Sequence, residues 1–360
     1  MDRRHFLAGA TAGCVAAVAG CLSDDSSGGG NREVTDLAGR TVSVPDEPAS
    51  VAAVNAGSLR LLAQFEATDL VVGVENDETT WRQEIPYNAA NPDLANETVV
   101  GGQGGEPETL IAEDPDVILS TGGSEELETL QERTSIPTVG LSTGQLMDIG
   151  EPLLSEVWEL LGEVLAREER ASQLQSFLDE TTADLTERVE NAEQAETPPT
   201  YVTGVSFQGG QGFEATRPRF APFDLLGGVD NVAADVGFDD IPHVTVSAES
   251  IIDWDPAFVF VDRANIDLVV NDIEQNTAYQ NLTAIENGNV YGLLPNAQYG
   301  LNHSNALANA YAVGSVLYPD AFDDVSPGSR ADDIYEALFG TQLYDEIAAI
   351  QGGFGQVELD

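Results

Sequence analysis

Between Asp148 and Glu193, apolar residues (Leu153, Val157, Leu160, Leu161, Val164, Leu174, Phe177, Leu178, Leu185) recur at three- and four-residue intervals. The pattern predicts one amphipathic helix approaching about 40 residues, far above the usual helix length. Pro152 falls in its first turn, where a missing N–H costs nothing, and Thr197-Pro198-Pro199 ends it. A rod of that length does not fit inside one compact lobe. The chain is therefore expected to use it as a strut between two.

Both flanks of the strut alternate strand with helix. Before it, Thr41-Val-Ser-Val, Val51-Ala-Ala-Val, Leu70-Val-Val-Gly-Val, Asp116-Val-Ile-Leu-Ser and Pro137-Thr-Val-Gly-Leu read as strands, and Ser58–Ala67, Pro107–Glu113 and Glu125–Glu132 as helices. After it come strands at Tyr201–Ser206, Phe258–Val261 and Asn289–Gly292, with helices at Ala248–Trp254, Asn302–Leu317, Ala331–Leu338 and Leu343–Ile350. The expected fold class is α/β, two parallel-sheet lobes joined by one long rigid interlobe helix. Expected boundaries are an export signal at 1–20, a tether at 21–33, an N-terminal lobe at 34–145, the helix at 146–196 and a C-terminal lobe at 197–355. One echo relates the lobes: Glu108-Thr-Leu-Ile-Ala-Glu-Asp-Pro115 and Glu249-Ser-Ile-Ile-Asp-Trp-Asp-Pro256 share the order Glu, apolar pair, acid, Pro, then an apolar strand, at the same spacing.

Charge excludes several functions. Against 62 acidic residues the chain sets 14 basic ones, all arginine, for a net charge of −48. Such a polyanion repels phosphate backbones and acidic headgroups, so nucleic-acid binding and attachment through a basic patch are excluded. Acidity without lysine reads as adaptation to high salt. Arg3-Arg4 before the apolar run Phe6–Gly20 reads as a twin-arginine export signal, too short to span a bilayer. Small residues leading to Cys21 form a lipoprotein processing box, with Cys21 as the lipidated residue and Leu22–Arg32 as a flexible tether. Cys14 leaves with the signal, so the mature chain has no free thiol for a disulfide, a metal or a nucleophile.

Three motifs imitate catalytic or cofactor sites. Gly140-Leu-Ser142-Thr-Gly144 matches a nucleophile elbow, with His243 and His303 as potential triad partners, but Gln145–Gly150 intervenes before a helix can support an oxyanion site. Gly210-Gln-Gly212-Phe-Glu-Ala215 imitates a dinucleotide loop, yet Thr216-Arg-Pro218 breaks the helix it requires. Gly101-Gly-Gln-Gly-Gly-Glu-Pro107 is a small-residue loop that permits close approach of a ligand. Two remaining histidines are too few for an ordinary zinc site, so no metal and no cofactor is expected to be resident. Arginines mark the better candidate. Arg217 and Arg219 stand two apart in a loop flanked by glycines and by Phe207, Phe213 and Phe220, and Arg82 follows Trp81 in the corresponding loop of the first lobe. Arginine forks beside aromatics suit a bulky anionic ligand. Tyr299-Gly-Leu-Asn302-His303 is a further lip, and Asn302, Asn96 and Asn281 each open an Asn-x-Ser/Thr sequon.

The stretch Val34-Thr-Asp-Leu-Ala-Gly-Arg-Thr-Val-Ser-Val-Pro45, the strand at Val51, the Leu61-Leu62 helix, Leu70-Val-Val-Gly-Val and Pro107-Glu108 through Asp116-Val-Ile-Leu resemble the substrate-binding lipoproteins of ABC importers for iron chelates, haem and cobalamin. The resemblance runs from about Val34 to Gly353. It implies a non-enzymatic protein held on the outer face of the cell membrane, which delivers a small-molecule metal chelate, foremost siderophore-type iron, to an ABC permease and its ATPase subunits. It also implies that Glu108 and Glu249 dock arginines of the permease. The expected ligand contacts are Trp81, Arg82, Phe207, Arg217, Arg219, Tyr299, Asn302 and His303. Competing readings are a hydrolase using Ser142, a haem or cobalamin binder, and a surface adhesion module.

Overall fold

The computed structural model describes residues 30–80, 83–141, 153–192, 197–205, 212–237 and 243–359. An antiparallel hairpin, β1 (Asn31–Thr35) with β2 (Thr41–Pro45), leads into the first lobe. Its sheet consists of β3 (Val51–Val54), β4 (Val71–Val74), β5 (Thr98–Val99), β6 (Val117–Ser120) and β7 (Thr138–Gly140), all parallel, in the order β5-β4-β3-β6-β7. The central strands β3 and β6 are buried along their whole length, which is why they read as unbroken apolar runs. Helices α1 (Ser58–Gln64), α2 (Asn76–Thr80), α3 (Pro86–Ala90), α4 (Pro107–Glu113) and α5 (Ser124–Thr134) connect them.

The predicted strut is two helices. α6 (Leu153–Leu165) ends at Ala166, which takes a left-handed φ of 53°, and α7 (Glu168–Glu190) folds back against it. A Cβ on Gly162 would lie 2.8 Å from the Ala171 Cβ, so the glycine is what lets the two helices approach. At 23 residues α7 spans about 34 Å and is the element that bridges the lobes. Arg170 shows how: its Nε donates to the Gln64 carbonyl at the end of α1 (2.8 Å), and its Nη2 donates to the carbonyls of Ala337 (2.9 Å) and Leu338 (3.3 Å).

The second lobe runs β8 (Thr200–Thr203), β9 (Ala215–Thr216), α8 (Ala221–Leu226), β10 (Val244–Thr245), α9 (Ala248–Trp254), β11 (Phe258–Asp262), α10 (Ile266–Gln275), α11 (Thr277–Gln280), α12 (Thr283–Glu286), β12 (Val290–Leu293), α13 (His303–Leu317), α14 (Pro327–Phe339), α15 (Tyr344–Gln351) and β13 (Gly355–Gln356). Its sheet has the order β13-β12-β11-β8, parallel except for the antiparallel edge strand β13. The sequence echo is a structural one. α4 and α9 are both seven-residue helices that end on a left-handed aspartate, Asp114 (φ 49°) and Asp255 (φ 41°), and both feed a central strand, β6 and β11.

One apolar cluster crosses the junction. It holds Leu62 and Phe65 of α1, Leu161 of α6, Leu174, Leu178 and Leu185 of α7, Leu307 and Tyr311 of α13, and Ile334 and Leu338 of α14. The lobes therefore share a packed seam as well as a helix, an arrangement that resists large relative motion.

Candidate functional site

In a parallel α/β sheet, ligands gather beyond the carboxyl ends of the strands. There, residues following β4 and β12 meet across the seam. Glu75, directly after β4, is 1% exposed. Its Oε1 accepts the backbone N–H of Asn55 (2.8 Å) and of Gly104 (2.6 Å), and its Oε2 accepts the Tyr299 hydroxyl from the other lobe. Burial pushes this carboxyl up to about 7, against the pull of the three hydrogen bonds.

Arg60 makes a second bridge. The α1 guanidinium is 1% exposed and donates from Nη1 to the Leu301 carbonyl (2.5 Å) and from Nη2 to those of Gln298 (2.9 Å) and Tyr299 (3.2 Å). It lies 4.9 Å from the centroid of the Tyr87 ring, whose hydroxyl donates to Glu78. Desolvation lowers the Arg60 pKa, and the nearby Tyr87 and Glu78 oppose that shift. A third bridge fixes a tautomer. The Trp158 indole N–H, which can only donate, takes Gln64 Oε1 (2.9 Å), so Gln64 Nε2 donates to His303 Nδ1 (3.3 Å) and the ring proton sits on Nε2. Burial brings His303 down to about 3, and the ring is neutral at ordinary pH.

Beside this seam lies a buried cation. Arg217, immediately after β9, is 2% exposed, its Nε has no hydrogen-bond partner, and it forms no ion pair among the described residues. Desolvation lowers its pKa, opposed by Asp262 at the end of β11. Asp262 is itself pushed up to about 6 by burial and accepts the N–H groups of Asn296 and Ala264 (3.0 Å each). His243 is lowered by burial and by Arg217. On the loop after β12 the Asn302 side chain is fully buried with neither amide atom hydrogen-bonded among the described residues, and the side-chain amide oxygens of Asn296 and Gln298 are likewise unmatched there. A buried guanidinium that no carboxylate hydrogen-bonds among the described residues contributes local positive charge in a strongly acidic protein, and that charge fits an anion.

Of the sequence-derived contacts, Arg217, Tyr299, Asn302 and His303 lie on these loops, with Tyr299 latched to Glu75 and His303 turned into the seam. Arg219 is exposed, unlike Arg217. Trp81, Arg82, Phe207, Ser142 and Cys21 lie outside the described residues. Phe213 and Phe220, expected to flank a ligand loop, are core anchors: Phe213 packs on Tyr201 and Tyr279, and Phe220 on Phe223. Sequence reasoning missed Arg60, Gln64, Glu75 and Trp158. A charged residue inside Leu59-Arg60-Leu61-Leu62-Ala63 was a readable sign of a buried polar contact. Glu108 and Glu249 both stand exposed in the first turn of their helices, and Glu108 meets Arg133 at 3.2 Å. Among the described residues no cluster of three or more His, Cys, Asp or Glu is placed to hold a metal ion, and no helix is long and apolar enough to cross a membrane.

Comparison with known proteins agrees with this geometry. The periplasmic binding protein family matches residues 51–297. Molybdate-binding protein MolA of Haemophilus influenzae is 25% identical over 348 residues, covering 89% of this chain and 94% of that protein. The structure of MolA bound to molybdate aligns with a TM-score of 0.68 at 22% identity, over 86% of this chain and 98% of the other. A periplasmic solute binding protein from Veillonella parvula gives 0.72 at 20% identity, over 89% and 97%. The TroA-like periplasmic binding protein FepB from the same organism gives 0.65 at 18%, over 86% and 97%. With two sheet lobes, a helical bridge and a family match across both lobes, the chain belongs to the periplasmic binding proteins, the substrate-binding components of ABC importers.

Proposed function

We propose that this protein captures an anionic iron chelate between its lobes and presents it to an ABC permease, without catalysing a reaction. The observation that carries the ligand class is Arg217, buried and without an ion pair among the described residues, in a chain of net charge −48. A bidentate guanidinium suits carboxylate or catecholate oxygens. Asn302, on the loop after β12, supplies amide groups unmatched among the described residues, and Trp81, Arg82, Phe207 and Arg219 belong to the mouth of the same cleft in this reading. Binding an anion there neutralises a cation that folding has already desolvated. Glu108 and Glu249 are the permease-docking carboxylates, and Cys21 carries the lipid that keeps the protein on the outer face of the membrane. Cys21→Ser is then expected to leave the chain unprocessed or released into the medium.

A second reading is a compact metal oxyanion, favoured by the likeness to a protein named for binding molybdate. The two differ in size and shape but share negatively charged oxygen donors. Titration calorimetry in molar salt against ferric citrate, a ferric catecholate, molybdate, haem and cobalamin separates them. Saturable one-to-one binding of a ferric chelate supports the first reading, and selective binding of molybdate replaces it with the second. Binding of cobalamin alone, or of none of the five, contradicts both.

A further inference from the structure

The three Asn-x-Ser/Thr sequons have different fates in the fold. Asn302 is completely buried at the start of α13, on the cleft side of the second lobe. Asn96 and Asn281 are exposed. Asn96 stands two residues before the start of β5, and Gly73 of β4 pairs with Thr98, so Asn96 is level with the amino end of the parallel sheet. α4 instead starts at the carboxyl end, where the Glu106 N–H meets the Val100 carbonyl. Asn281 follows α11, and its sequon partner Thr283 is bonded through N–H (2.7 Å) and hydroxyl (2.8 Å) to Asp255, the residue that ends α9 ahead of β11. Both exposed sequons therefore occupy the amino-end pole of a lobe, one on each, remote from the cleft.

We propose that Asn96 of the exported protein carries an N-linked oligosaccharide, that Asn281 is a less occupied second acceptor, and that Asn302 is unmodified. In the transfer, the Asn96 Nδ2 forms a bond to the anomeric carbon of a lipid-phosphate-linked oligosaccharide. The bond from that carbon to the phosphate oxygen breaks, the lipid phosphate leaves, and the amide proton passes to a base of the transferring enzyme. Asn96 ranks first because neither its side-chain amide nor the Thr98 hydroxyl is engaged among the described residues, and only the short edge pairing of Thr98 with Gly73 has to open for the sequon to extend into an enzyme. At Asn281 the Nδ2 donates to the Thr277 carbonyl (2.6 Å) and the partner hydroxyl is held by Asp255, so local opening must come first. A glycan at Asn96 also covers the exposed edge strand β5, where Val99 is 44% exposed. The placement leaves cleft and docking carboxylates clear, and in that respect rests on the proposed function.

The test is peptide mass spectrometry of the full chain purified from membranes of the cells that make it, cleaved with a glutamyl endopeptidase because lysine is absent. The Asn96 peptide is expected to carry a saccharide mass that disappears in Asn96→Gln and Thr98→Ala and persists in Thr98→Ser. The Asn281 peptide should be less occupied and the Asn302 peptide bare. An unmodified Asn96 peptide in the wild type, or a saccharide on Asn302, overturns the proposal. Ligand calorimetry on the same preparation is expected to be unchanged in Asn96→Gln, so a failure of the glycan assignment leaves the ligand assignment standing.

Discussion

Glu75 and His303 respond to pH in opposite senses, and the difference is measurable. The folded pKa of Glu75, about 7, lies above the ordinary carboxylate value of 4.5, so the native state keeps a proton that the unfolded chain releases. Its contribution to stability is complete below about pH 4.5 and is lost as pH rises through 7. His303, at about 3 against an ordinary 6.5, works the other way and costs stability as pH falls below 6.5. Comparing wild type with Glu75→Gln cancels the histidine. On lowering pH from 8 to 5 the wild-type melting temperature should rise relative to the variant; parallel pH profiles would remove the titration from Glu75. The pairing of these residues was hidden in the sequence because the partners are far apart along the chain: Glu75 meets Tyr299, and Gln64 meets His303. Arg217 stood out as a candidate because an arginine beside glycine and aromatic residues is conspicuous in so acidic a chain. Sequence spacing did not separate it from Arg219, whose side chain stays outside.

At the scale of elements, strands and helices were legible wherever burial imposes a period. β3, β4, β6 and β11 fall on the predicted apolar runs, and α4 and α9 within the echo. The break between α6 and α7 was not legible. Ala166-Arg-Glu-Glu169 carries only residues with ordinary helix propensity, and the turn, closed locally by the Arg167 N–H on the Gly162 carbonyl (2.8 Å), is held by a distant contact: the Arg167 Nη1 reaches the carbonyls of Phe65 and Glu66. Two substitutions probe that turn by chemical denaturation. Gly162→Ala drives a methyl into Ala171 and should destabilise by about 1 to 3 kcal/mol. Ala166→Gly relieves a left-handed residue and should stabilise by about 0.5 to 1 kcal/mol. If both are neutral, the reversal is not set at these positions.

At the scale of the molecule, the proposed function puts capture and delivery on different surfaces. Glu108 and Glu249 head equivalent helices on opposite lobes. Glu108→Arg or Glu249→Arg is therefore expected to cut ligand uptake in cells at least tenfold while leaving ligand affinity in vitro unchanged. Loss of both together would place the carboxylates in the ligand site. The shared apolar seam and the bridges from Arg60, Gln64 and Glu75 predict modest closure of the lobes on binding. Under the proposed function, affinity then comes from a site largely formed beforehand, with Arg217 as its charge. Calorimetry of the mature protein in molar salt, with the anion found to bind, tests this most directly. A desolvated charge-assisted contact is worth about 1.5 to 3 kcal/mol, so Arg217→Ala should weaken binding at least about tenfold. Arg219→Ala, at an exposed position, should change it less than about threefold. Equal affinity for wild type and Arg217→Ala would contradict the account and move the ligand away from this arginine.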